Sequence, residues 1–199
     1  MKSAARLVHH LLTCGDATYE ELCAIAYFLD QTTAECKLLE HEQERLAQQK
    51  LRAATTIEEL IAICETASPY NTTWTEARER LERALLEQVR SATTVVEARR
   101  IFGLANKSYI ALNEARKYGN YLSVALEIAR KHWAMLALQH IKNATSVRAV
   151  LEIYELSPWS KKAKEVGCSY CGTWLKEWGY DGGLEIDEKF NELLREAGF

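Results

Sequence analysis

Proline is almost missing from this sequence, at 2 in 199 residues, and glycine is sparse at 9. A fold of many short strands needs both in its turns, so their scarcity excludes a β-rich sandwich and favours long helices. Signatures of catalysis are also missing. Gly179-x-x-Gly182-Gly183 follows a predicted helix, not a strand, which removes a nucleotide-binding fingerprint and leaves a turn. His41-Glu42 begins a zinc-protease motif, but Arg45 stands where the second histidine belongs. Cys168-x-x-Cys171 supplies half of a zinc site without a second pair to complete it. No cofactor, metal or enzymatic activity is therefore expected. The longest apolar segment, Tyr121–Ile141, carries Glu127, Arg130, Lys131 and His132 in its middle, which fits a buried helix and not a membrane span. Met1–Leu12 is broken by Lys2, Arg6, His9 and His10, unlike a secretory leader, so a cytoplasmic location is expected and the 6 cysteines are read as thiols.

What the sequence does hold is a repeat. Thr-x-x-Glu occurs at Thr18–Glu21, Thr56–Glu59 and Thr94–Glu97, at intervals of 38 residues. In this capping box the Thr hydroxyl accepts from an unpaired first-turn amide while the Glu returns to the amide of the Thr, so each copy marks a helix start. It also explains the adjacent acids Glu20-Glu21 and Glu58-Glu59 without invoking catalysis. Ser146 opens a fourth copy, 52 residues after Thr94, with Ala149 in place of the Glu. The seventh residue after each cap is isoleucine: Ile25, Ile63, Ile101 and Ile153. Apolar residues at offsets one, four, seven and eight trace one face of an α-helix, and no period-two strand uses that spacing.

Short connectors are predicted at Ala67–Tyr70, Ala105–Tyr109 and Leu156–Trp159, each leading to a second helix; Glu76-Ala77-Arg78 and Glu114-Ala115-Arg116, again 38 apart, place those helices in register. The 14 extra residues of the last interval are assigned to an additional helix within Tyr121–Ile141. Cys168–Trp178 completes the fourth repeat, and Asp187–Ala197 forms a terminal helix. The expectation is one all-α domain of about four stacked helix-turn-helix repeats, residues 13–50, 51–88, 89–140 and 141–178, with a cap over 179–199. Such units bury a core only by stacking on neighbours. This pattern resembles the HEAT and armadillo class of α-solenoids, and less closely the 34-residue tetratricopeptide repeat. The resemblance implies a solenoid that grips another protein along a curved surface or, in a minority of members, DNA through a basic groove.

Charge and aromatics then mark candidate surfaces. Residues 1–88 hold 9 Lys/Arg and 15 Asp/Glu, net −6, whereas residues 89–131 hold 8 and 3, net +5. The basic stretch contains Arg90, Arg99, Arg100, Lys107, Arg116, Lys117, Arg130 and Lys131, suited to an acidic partner or to phosphates. Trp159, Trp174 and Trp178 gather near the end and offer interface anchors. The partner-binding residues expected are thus Arg99, Arg100, Lys107, Arg116, Lys117, Trp159, Trp174 and Trp178. The expected function is protein–protein interaction, with a phage or mobile-element inhibitor of a host nucleoprotein complex (anti-CRISPR-like) as its narrower form. Nucleic-acid binding through the basic middle repeat is the alternative.

Overall fold

The computed structural model describes His10 and residues 18–26, 34–67, 71–115, 123–166 and 182–196. Its elements are α1 (Tyr19–Ala26), α2 (Ala34–Ala53), α3 (Ile57–Thr66), α4 (Thr72–Ser91), α5 (Val95–Ala115), α6 (Val124–Lys142), α7 (Val147–Leu156), a 3-10 turn at Lys161–Val166, and α8 (Gly182–Glu196). Among the described residues there is no strand, and no helix is long and apolar enough to cross a membrane. The chain divides into two compact units, Met1–Arg80 and Leu81–Phe199, and the division falls within α4.

Each Thr-x-x-Glu element forms the reciprocal pair its residues dictate. Thr18, Thr56 and Thr94 each accept at Oγ1 from the amide of the Glu three residues on, at 3.2 Å. Glu21, Glu59 and Glu97 return to the Thr amides at 2.8, 2.9 and 3.2 Å. Glu59 and Glu97 also take the preceding amides of Thr55 and Thr93, at 2.7 and 3.1 Å. Those amides, Thr55 and Thr93 foremost, hold both carboxyls below the ordinary carboxylate range. Ser146 caps α7 by accepting from Ala149 N at 3.2 Å, and Ala149 returns nothing.

In the first unit α1 packs on α2 and α2 on α3, with Leu22, Leu39, Leu51 and Ile61 fully buried. Trp74 of α4 is buried and donates its indole N–H to Cys64 O of α3 at 3.2 Å. In the second unit α5 packs on α6, α7 and the 3-10 turn. Phe102 and Trp133, both inaccessible to solvent, stack at 5.2 Å, and Trp133 donates to Leu156 O at 2.9 Å. Helix α8 closes on α6 and α7, placing Ile186, Phe190 and Leu193 against Ile141, Val150 and Tyr154.

Two boundaries depart from the expected ones. Ala105–Tyr109 is no connector: α5 runs unbroken through it, and the extra residues lengthen this first helix. No proline or glycine interrupts that stretch, Asn113 Nδ2 donates to Tyr109 O at 2.8 Å, and the buried stripe continues through Ala105, Ser108 and Leu112. Helix α6 is consequently the partner of α5 and not an added element. Helix α8 also starts at Gly182, five residues ahead of Asp187, because Ile186 belongs to its buried stripe. The first-turn amides have no intrahelical partner to lose, so glycine is tolerated there. The proposed second helix of the fourth repeat, Cys168–Trp178, lies outside the described residues.

Candidate functional site

Helices α2 and α4 are joined by a pair of opposite charges, each at the helix end that favours it. The Glu44 carboxylate, midway along α2, accepts from Thr72 Oγ1 at 3.0 Å, Thr73 N at 3.2 Å, Thr73 Oγ1 at 2.5 Å and Gln48 Nε2 at 3.2 Å. It thereby occupies the N-terminus of α4 beside Asn71, whose side chain accepts from Trp74 N at 2.8 Å. Burial acts to raise the Glu44 carboxyl, but the donors from Thr73, Thr72 and Gln48 prevail and keep it below its usual range. In return Arg80 of α4 donates to Leu51 O at 2.5 Å and Ala54 O at 2.9 Å, satisfying the orphan carbonyls that end α2. Passing along α2 from Glu44 to Leu51 and Ala54 passes along α4 from Thr73 to Arg80, so over this stretch α2 and α4 run parallel.

Within the second unit the device recurs between α4 and α6. Glu82 accepts from Ala125 N at 2.8 Å at the N-terminus of α6, beside the cap Ser123. His132 Nε2 lies 2.9 Å from Ala92 O, where α4 ends. Glu82 stands 38 residues after Glu44 and Ala92 stands 38 after Ala54; Ala125 stands 52 after Thr73 and His132 stands 52 after Arg80. These are the same two intervals that separate the helix caps, so corresponding positions perform corresponding bonds.

The clamp also fixes which way each helix faces. At about 100° per residue, the exposed residues of α4 in the second unit, Arg83, Glu87 and Arg90, lie about a quarter-turn from the edge that carries Glu82. On α6, Val124, Ile128 and Met135 lie about a sixth of a turn, in the opposite sense, from the edge that carries His132. For two parallel neighbours those directions coincide, and the two rows form one surface. The same reasoning in the first unit puts Leu38, Arg45 and Gln49 of α2 on one side with Glu76 and Glu79 of α4.

Of the residues expected at a partner surface, Arg100 and Lys107 are exposed, and their seven-residue spacing sets them on one face of α5. Arg100 reaches Gln88 Oε1 at 3.4 Å. Arg99 does not join them: its guanidinium pairs with Glu165 at 2.7 Å and donates to Lys162 O at 3.0 Å, tying α5 to the 3-10 turn. Trp159 is half-buried. Arg116, Lys117, Trp174 and Trp178 lie outside the described residues, as does the Cys168/Cys171 pair. Reading the apolar run of α6 as wholly buried missed Val124, Ile128 and Met135; their offsets of four and seven, with Lys131 on the same face, were the available signal.

Chemistry is sparse. Cys64 is pushed up to about 12 by burial, against the attraction of nearby Arg78, so its thiol is inert at neutral pH. Arg45, in the position that broke the zinc-protease motif, forms an ion pair with Glu42. Among the described residues, no group of three or more His, Cys, Asp or Glu side chains is placed to hold a metal. An open cavity of about 340 Å³ beside Ala53, Ala62 and Ile63 has Glu59 at its rim, but that carboxylate is already engaged by the cap amides. Compared with protein-family models, curated proteins and solved structures, the chain matches none.

Proposed function

We propose that this chain is a protein-binding module, a HEAT-like stack of helix pairs whose second helices offer their exposed faces to another protein. The observation that carries this reading is the recurring clamp: Glu44 and Arg80 join α2 to α4, and Glu82 and His132 join α4 to α6, at matching intervals. Within each unit the parallel neighbours turn their exposed rows to one side, as the binding surfaces of helical arrays require. The narrower form, a mobile-element inhibitor that occupies a basic subunit of a host nucleoprotein complex, draws on the net −6 of residues 1–88.

The test is affinity capture of the tagged full chain from a bacterial lysate, with and without nuclease, followed by mass spectrometry. A protein recovered in stoichiometric amount after nuclease is the expected result. Recovery that disappears with nuclease would transfer the function to nucleic acid and to the exposed cations Arg100 and Lys107.

A further inference from the structure

The face formed by α4 and α6 in the second unit has a composition that selects its occupant. Val124, Ile128 and Met135 are 57, 40 and 45% exposed, unusual values for large apolar side chains brought together on one helix face. Val124 and Met135 are 11 positions apart on α6, about 16 Å at 1.5 Å per residue, which matches three turns of a helix laid alongside. Beside them runs the exposed row Arg83, Glu87 and Arg90 of α4. Neither Arg83 nor Arg90 forms an ion pair among the described residues, and one carboxylate stands between two guanidiniums. Lys131, within the apolar row, is by contrast matched by Glu127 at 2.8 Å.

We propose that this face binds an amphipathic helix of a partner protein, one with an apolar stripe at i, i+4, i+7 and i+11 and with acidic residues along the flank that meets Arg83 and Arg90. The inference rests on the protein-binding reading above and names the partner's chemistry. An apolar row on α6 flanked by a charged row on α4 suits an amphipathic helix laid along it, and no strand edge is available among the described residues to add an extended peptide. Nucleic acid would use the guanidiniums but has nothing to seat on Val124, Ile128 and Met135.

The test is a selection of displayed peptides, about 16 residues long, on the full chain, with counter-selection on the Ile128→Asp/Met135→Asp variant. The expected winners carry helically spaced apolar residues and Asp or Glu on one flank. They bind at least about tenfold more weakly to Ile128→Asp/Met135→Asp and to Arg83→Glu/Arg90→Glu. Exchanging their acids for lysine restores binding to the second variant. All four positions are exposed, so both variants should keep the wild-type melting curve, which confirms that any lost binding is local. Failure to enrich any peptide, enrichment of basic or non-helical sequences, or binding indifferent to both variants would overturn the proposal. So would DNA binding that depends on Arg83 and Arg90 but not on Ile128 and Met135. A cellular protein captured equally by wild type and both variants would preserve the protein-binding reading while removing this face from it.

Discussion

In the first unit the parallel helices α2 and α4 meet through a carboxylate that takes four donors and a guanidinium that spans two carbonyls. In the second unit the Glu82 carboxylate of α4 takes the Ala125 amide of α6, and the His132 imidazole of α6 meets Ala92 O at the end of α4. The second unit also packs large apolar side chains around α6. Phe102 and Trp133 stack inside it, and α8 closes over Ile141 and Val150. The recurring contact thus carries a guanidinium between α2 and α4 and an imidazole between α4 and α6, and α6 is further anchored by apolar burial against α5, α7 and α8.

That contrast can be broken first at Trp133. Trp133→Ala removes the stack on Phe102 and the bond to Leu156 O, and should cost about 3–5 kcal/mol in urea unfolding. A loss below about 1 kcal/mol would show that the second unit does not depend on this packing. Arg80→Met comes next. It leaves Leu51 O and Ala54 O without their donor, for a loss of about 1–3 kcal/mol, larger than the loss from His132→Leu, which frees one carbonyl. Equal losses would erase the distinction between the junctions. Thr56→Ala and Thr94→Ala should each cost about 1 kcal/mol, and Ser146→Ala less, because its cap lacks the returning carboxylate.

The acid limb sharpens the same comparison. Glu44, Glu59 and Glu97 all have carboxyls depressed in the folded state, so their stabilisation is fully present above the ordinary carboxylate pKa and is lost as pH falls through the folded value. The urea midpoint should stay level from about pH 7 to 5 and decline below about pH 4. Glu59→Gln/Glu97→Gln should lower the plateau and flatten that decline. A midpoint that rises on acidification would contradict the assignment. The smallest effect is expected for Arg99→Ala: its partner Glu165 is largely exposed, and such pairs contribute about 0–1 kcal/mol.

The helix starts marked by Thr18, Thr56, Thr94 and Ser146, and the buried Ile63 and Ile101, were legible in the sequence because they depend on residues within a few positions of one another. The clamp was not, although Glu44-Arg45 and Glu82-Arg83 repeat at 38 residues, because the amides of Thr73 and Ala125 become its partners only when distant helices meet. Local likeness also misled. Glu114-Ala115-Arg116 repeats Glu76-Ala77-Arg78 in sequence, yet Glu114 and Ala115 end a lengthened α5 whereas Glu76–Arg78 lie near the start of α4. Arg99 counted as surface charge in the sequence and is engaged with Glu165 in the fold, a partner 66 residues away.

The equivalence of the two junctions is tested most directly by the melting temperature of His132→Arg. If His132 holds the position that Arg80 holds one junction earlier, a guanidinium there should reach Ala92 O and its neighbouring carbonyl, and the variant should melt at or above the wild-type temperature. A loss of more than about 1 kcal/mol, the ordinary result of substitution at a half-buried site, would contradict the correspondence of His132 with Arg80.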